Sequence, residues 1–340
     1  MPKLIEDNWN KAIKKNRHSI KARDYISMSD LGKAYIDRYY KMRGEPPTND
    51  YDERILRIFE AGRVMEFIVL RALTMAGILN QKQTFVEIPK TDKTLRLLGY
   101  LDATIGGFTD WGKAKDIIIK HLGEYKLNLD DQLLEQKAVG IIDVLKERYP
   151  DGKIPEMLVE VKSINSLAFW SHNNRDRQGN FIAYDHNKLQ LYGYMKATKI
   201  ERGTLLYISK DDFVIQEDGI ILGNEKLEEL FNNDITTMSN FYLTNTEPPK
   251  LQKIIFNERK KVFELNWEVK RSVYLTKIYG YKIQEEFEDK NKSKLNEINL
   301  TLKRLRELDK EKDEKRKKTL EKKISTEQEI INFYKLNEIK

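Results

Sequence analysis

The sequence predicts an α/β protein: a central mixed β-sheet flanked by helices, with a helical insertion and a C-terminal helical hairpin of coiled-coil type. Three observations predict it. Apolar runs of strand length at 83–89, 95–108, 157–164 and 202–217 alternate with longer stretches of helical spacing at 51–79 and 183–198. Residues 109–153 interrupt that alternation with further helical character around 113–121 and 129–148. From about 255 the pattern becomes long charged helix, in which Leu295, Ile298, Leu302 and Leu305 recur at coiled-coil spacing.

Taken in order, residues 1–24 are polar and basic and read as a helix. In 26–44 a Ser-Asp start signal precedes Leu31, Ala34, Tyr35, Arg38 and Tyr39 at helical spacing. GEPPTND (44–50) breaks the chain, and 51–79 is apolar enough for a long buried helix. KTDKT (90–94) is the turn between the first two strands. AFWSHNNRDRQGNF (168–181) reads as a polar loop studded with aromatics, and 202–217 as a pair of strands. DKEKDEKRKK (309–318) has no apolar residue and reads as a solvated bend; Leu320, Ile324 and Ile331 then supply a returning stripe, hence a helical hairpin. This divides the chain into an N-terminal helical segment (1–50), a core (51–250) and a C-terminal helical part (251–340).

Composition narrows the function. At 340 residues with 40% hydrophobic and 34% charged residues, one large or two ordinary domains can form. The net charge is +7, and residues 290–340, with 16 Lys and Arg against 10 Asp and Glu, supply +6 of it. Such a tail suits a polyanion such as nucleic acid, or a protein partner or second copy. The chain has no cysteine, which excludes disulfides, thiolate zinc sites, cysteine nucleophiles and cysteine-held iron–sulfur clusters. No apolar stretch has signal-peptide or membrane-spanning length, so a soluble protein of the cytoplasm is expected, with no membrane partner.

Three carboxylates interrupt apolar runs: Glu66 in VMEFIVL, Asp102 in LLGYLDATI and Glu160 in MLVEVK. A buried carboxylate is costly unless paired or metal-bound. Two unit charges about 4 Å apart repel by roughly 4 kcal/mol at an effective dielectric near 20. A divalent cation turns that repulsion into binding, and oxygen ligands suit Mg²⁺ or Mn²⁺. Side chains alternate along a strand, so Glu160 and Lys162 share a face, which places an ammonium beside the ligand. His186, Gln190 and Tyr194 are spaced four apart and share a helix face, placed to grip a phosphate or a scissile strand. Trp170, Arg175 and Arg177, with Phe169 and His172, could stack on bases and pair phosphates.

A strand-borne Asp followed by Glu-X-Lys on the next core strand, here Leu101-Asp102 and Glu160-Val161-Lys162, resembles the PD-(D/E)XK nuclease superfamily, with Leu in place of the eponymous Pro. Gln190-X-X-X-Tyr194 and the ISMSDLGKAYIDRYY segment resemble its RecB-like exonuclease branch. The resemblance covers roughly 26–217. It implies a restriction-endonuclease-like core and a metal-dependent deoxyribonuclease, an exonuclease by preference, serving recombination, repair or replication; a phage-encoded enzyme of this kind would act in the host cytoplasm. It implies that Asp102, Glu160 and the Val161 carbonyl ligate Mg²⁺ or Mn²⁺, that Lys162 is the catalytic lysine, and that Gln190 and Tyr194 position DNA. Glu66 falls where the branch often has a His; Glu there resembles lambda-exonuclease-like relatives. The chain departs from the branch in lacking its cluster cysteines, with Ala34 at one such place, in the 109–153 insertion, and in the C-terminal hairpin.

Each signal has a plainer reading alone. Glu66 can pair with Arg63 or Arg71, Asp102 can be a turn or edge aspartate, and Gln190 and Tyr194 can belong to an amphipathic surface. Order points to chemistry: helix-Glu, strand-Asp, strand-Glu-X-Lys, helix-Gln-X-X-X-Tyr. The competing expectations are a non-catalytic DNA-binding scaffold on a nuclease-like core with a partner-docking tail, and a coiled-coil interaction protein with an incidental globular head.

Overall fold

The structure is a computed structural model that describes residues 4–15, 21–49, 51–108, 110–125, 130–151, 153–171, 175–176, 178–257 and 260–310. In chain order the elements are α1 (Leu4–Lys15), β1 (Tyr25–Ser27), a 3₁₀ turn at Met28–Asp30, α2 (Tyr35–Met42), α3 (Glu53–Met75), β2 (Leu79–Ile88), β3 (Arg96–Ile105), α4 (Trp111–Glu124) and α5 (Asp131–Arg148). There follow β4 (Met157–Ile164), α6 (Ser166–Trp170), α7 (Asp185–Thr198), β5 (Arg202–Ser209), β6 (Ile215–Ile221) and α8 (Glu225–Leu243). The last are β7 (Ile254–Asn257), β8 (Val262–Leu265), α9 (Trp267–Arg271), α10 (Leu275–Tyr279) and α11 (Gln284–Lys310). Contacts divide them into a core unit of 1–33, 41–44 and 52–247 and a C-terminal unit of 34–40, 45–51 and 248–340. Residues 34–40 and 45–49, read from sequence as part of the N-terminal segment 1–50, therefore belong to the C-terminal unit. No described helix is long and apolar enough to cross a membrane.

The core unit holds a mixed six-stranded sheet. β2 runs antiparallel to β3, β3 to β4 and β5 to β6, while β1 is parallel to β3 and β4 to β5. The parallel β4–β5 pair needs a crossover, and α7 supplies it. The pleat of β4 sorts its side chains: Val159 and Val161 pack with Val69 and Leu70 of α3, while Glu160 and Lys162 reach Gln190 of α7. Asx side chains start the helices. Asp52, Asp110, Asp130, Asn165 and Asn224 accept from the backbone N–H three residues on, each cap contributing about 1 kcal/mol. α4 and α5 form the insertion around Ala114, Ile118, Leu122, Ala138 and Ile142. Gly106 and Gly107, both at positive φ, lead into it, donating to the carbonyls of Ile78 and Ile154. A Cβ on Gly106 would meet the Pro155 carbonyl oxygen at 2.2 Å, so only glycine makes this turn.

Three stretches differ from the sequence reading. In 26–44 only 35–42 is helical, because 25–27 pair with β3 and Asp30, instead of starting a helix, is held by Arg23 and Lys41. α8 lies where periodicity assigned nothing. The stretch from 255 is not one long helix: a β-hairpin and two short helices precede α11.

Within the C-terminal unit, the Leu295, Ile298 and Leu302 stripe of α11 packs on Ile254, Phe256, Phe263 and Leu265 of that hairpin. Asn299 closes the contact by exchanging hydrogen bonds with the Phe263 backbone. The seam expected to meet a returning helix is thus occupied by β7 and β8. The bend at 311–318 and the stripe at Leu320, Ile324 and Ile331 lie outside the described residues, as does the side chain of Leu305.

Asp37, half-buried in the same unit, accepts a hydrogen bond from Ser272 Oγ at 2.9 Å. Burial pushes its carboxyl up to about 6, and the Glu268 charge adds to this against the Ser272 hydrogen bond. Between about pH 4 and 6 the folded chain holds a proton that the unfolded chain releases, so stability falls as pH rises through that window and levels off above it. Asp37→Asn is expected to raise stability by up to about 3 kcal/mol near pH 8 and by almost nothing near pH 3.5. Urea midpoints at the two pH values check this; equal gains at both would assign the effect elsewhere.

Candidate active site

β1 and β4 share one edge of β3. β1 pairs with residues 96–98, β4 with residues 103–105, and β2 lies along the other edge. Residues 99–102 have no ladder partner on the shared edge, and a cleft of about 390 Å³ opens there. Asp102, Glu160, Gln190 and Tyr194 line it, with Ser27, Ser29 and the rings of Tyr25, Phe85 and Tyr100. The Asp102 carboxylate replaces the missing ladder bond: its Oδ2 accepts from the Val161 N–H at 2.8 Å. In an extended strand the N–H and C=O of one residue point to one edge, so the Val161 carbonyl faces the same opening.

Glu160 is 2% exposed. Its Oε1 accepts from Lys162 Nζ at 2.7 Å and from Gln190 Nε2 at 2.6 Å, and Lys162 also donates to Gln190 Oε1 at 2.9 Å. Gln190 Nε2 donates in addition to the Tyr194 hydroxyl at 3.1 Å. Gly99 is what lets the Tyr194 ring approach β3, since a Cβ there would lie 2.7 Å from the ring. Glu160 Oε2 is buried and makes no hydrogen bond of normal geometry, the Asp102 backbone N–H only approaching the carboxylate. Such an atom costs about 1–3 kcal/mol unless something else satisfies it.

The charges are strained in a consistent direction. Burial, then the Glu160 and Glu66 charges, hold the Asp102 carboxyl well above the usual carboxylate range. Burial raises Glu160 too, against the pull of Lys162. Glu66 is raised by burial and by Glu160. Burial pushes the Lys162 ammonium down, but Glu160, Asp102 and Glu66 outweigh it and keep it charged. Three carboxylates and one ammonium leave a surplus of negative charge. Among the described residues no three His, Asp or Glu side chains stand close enough to ligate one ion. Mg²⁺ commonly takes only one or two carboxylates, completing its shell with water and substrate phosphate. Asp102 and Glu160 fit that role, and the orphaned Oε2 is the observation that favours it.

The remaining predicted residues are placed as follows. Glu66, on α3, accepts a short hydrogen bond from Gln83 and shares the electrostatic field of Asp102 and Glu160. His186 stacks on Tyr184 at 5.7 Å, and burial, Lys33 and Lys162 push its imidazole down to about 4, so it is neutral at physiological pH. Gln190 and Tyr194 are buried and brace the Glu160–Lys162 pair rather than standing free. Trp170 donates to Asp212, and the Arg175 guanidinium lies 4.4 Å from the Trp170 ring centroid. Neither lines the cleft. His172 and Arg177 lie outside the described residues.

Sequence reasoning missed Gln83. It sits opposite Asp102 in the β2–β3 register with φ +48°, a left-handed conformation rare for this residue, and aims its amide at Glu66. A glutamine inside a strand-like run carries no signal of such a turn. It also missed Phe85 and Tyr100 as cleft residues.

No family model matches the chain, and no curated protein matches it. Among solved structures, one described as "Crystal structure of SSO0001" is similar at 15% sequence identity and a TM-score of 0.41, covering 81% of this chain and 96% of that one. A likeness at that level says nothing of function.

Proposed function

We propose that the chain is a Mg²⁺- or Mn²⁺-dependent deoxyribonuclease of the PD-(D/E)XK type, acting on DNA ends in recombination, repair or replication. One observation carries this reading: Asp102 and Glu160, on consecutive antiparallel strands, line one cleft, with Glu160 Oε2 unpartnered and the Lys162 ammonium on Oε1.

The residues divide the work. Asp102 Oδ2 is engaged by Val161, which leaves Oδ1 for an ion; Glu160 Oε1 is engaged by Lys162 and Gln190, which leaves Oε2. When bound, the ion would polarise the phosphodiester and make a water nucleophilic near neutral pH. Lys162, kept charged by three carboxylates, can donate to the attacking oxygen or to a phosphate oxygen as negative charge builds there. Gln190 fixes both Glu160 and Lys162, and Tyr194 holds Gln190, so the pair is set before substrate arrives.

End-labelled linear, nicked and circular DNA incubated with Mg²⁺, Mn²⁺ or a chelator tests this. Linear DNA is expected to be shortened only with metal, while closed circles persist. Cleavage of circles would make the enzyme an endonuclease. No cleavage of any substrate with either ion would end the nuclease reading in favour of a non-catalytic DNA-binding scaffold, in which the closed Glu160–Lys162–Gln190 network is only a structural brace.

A further inference from the structure

We infer that Phe85, Tyr100 and Tyr25 form a stacking subsite for an unpaired nucleobase next to the carboxylates. The inference deepens the reading above and rests on the cleft receiving a polynucleotide.

Phe85 and Tyr100 face each other across β2 and β3, their rings 5.4 Å apart at 61°. They are 49% and 62% exposed, although both line the cleft. The paired rings present a contiguous, half-exposed aromatic face to the cleft. Tyr100 stands two residues from Asp102 on the same strand, about 7 Å along it, the scale of one nucleotide. A base on these rings therefore lies one step from a phosphate at Asp102 and Glu160.

The surroundings suit a sugar–phosphate chain better than an apolar peptide. The guanidinium groups of Arg23 and Arg96, paired with Asp30 and Asp24, lie 5.2 and 5.6 Å from the Tyr25 ring centroid. Arg23, Lys33 and Lys41 gather around a single carboxylate, Asp30. The hydroxyls of Ser27 and Ser29, 2.9 Å apart, line the same cleft. Rings backed by cations and hydroxyls are what single-strand binding surfaces use, because every base offers a π-face. A base inside a duplex has both faces covered by its neighbours, so this subsite selects unpaired nucleotides or frayed ends.

The test is fluorescence anisotropy in chelator, where no metal-dependent cleavage can occur, using a labelled single-stranded oligonucleotide, a blunt duplex of the same sequence, and single strands lacking one base at successive positions. Phe85→Ala and Tyr100→Ala should each weaken single-strand binding about tenfold or more, with duplex binding changed less than about twofold. Tyr100→Phe and Phe85→Trp should retain wild-type affinity. In the wild type, one abasic position should weaken binding as ring removal does, and the same abasic strand should lose nothing further in Tyr100→Ala. Equal losses on single strands and duplex, no binding of single strands by the wild type, or unchanged affinity in both alanine variants would overturn the inference; the last would assign the rings to a protein contact. Ring-dependent binding without any cleavage in Mg²⁺ or Mn²⁺ would sink the nuclease reading and leave this one standing. Metal-dependent cleavage indifferent to the rings would do the reverse.

Discussion

Glu160→Gln and Lys162→Gln each lower Mg²⁺-dependent cleavage by about 10²–10³-fold or more, while DNA affinity measured in chelator stays within about threefold. The magnitude is that of removing one group placed where charge develops in the transition state. The two substitutions act on different terms. Glu160→Gln removes one charge from the acidic surplus but keeps an acceptor for Lys162 and Gln190. Its loss should therefore be partly recovered at higher Mn²⁺. Lys162→Gln leaves the ligand in place and removes the ammonium, so added metal should recover nothing. Lys162→Ala is a poorer test: it strands the buried Glu160 carboxylate, and breaking a buried pair this way costs about 3–5 kcal/mol. Melting curves for each variant separate that outcome from a catalytic one. Full activity in both glutamine variants would dismiss the mechanism.

Asp102→Asn makes the protein more stable in chelator near pH 8 and sharply reduces the stabilisation that Mg²⁺ or Mn²⁺ gives the wild type. The sign follows from the raised carboxyl. Burial and the charges of Glu160 and Glu66 make the ionised form of Asp102 unfavourable in the folded state. Stability is then lost as pH rises above the unfolded value, and it is lowest where the group is ionised in both states. Asparagine removes the charge and keeps an oxygen for the Val161 N–H. The gain should be about 0.5–2 kcal/mol, the size of a typical single stabilising substitution. Wild type with ion at about 100 times its dissociation constant should gain about 2.7 kcal/mol; the asparagine variant should gain far less. Thermal melts with chelator and with metal read both effects. A wild type whose melting does not respond to either ion, or an asparagine variant weaker than wild type in chelator, would count against a metal at this place.

Much of the candidate site is legible in the sequence. Asp102, Glu160, Lys162, Gln190 and Tyr194 stand out because polar groups interrupt apolar runs at strand and helix spacing, and burial is written locally in those periods. The structure brings Asp102, Glu160, Gln190 and Tyr194 to one cleft, with Lys162 held on Glu160 and Gln190 behind it. The sheet strands from 95 to 217, α7 and the two insertion helices follow from the same local signal. Their boundaries shift by a few residues where caps and turns decide them.

What sequence periodicity did not carry is non-local. That β1 and β4 share an edge of β3 depends on pairing between segments about 70 and 55 positions away, and no local period encodes which strand meets which. The cleft exists because of that sharing. Phe85 and the left-handed Gln83 enter through a separate long-range pairing, that of β2 along the other edge of β3, and a ring's exposure depends on what stands opposite. The stripe of α11 shows the same limit from the other side. Its spacing says only that one face must be covered, and in the folded chain a β-hairpin covers it. The sequence by itself determined which stretches repeat with strand or helix period, and it marked Asp102 and Glu160 as charges set in apolar runs. Tertiary structure alone decided which surfaces meet, because packing partners are selected by shape and pairing across the whole chain rather than by the spacing of neighbours.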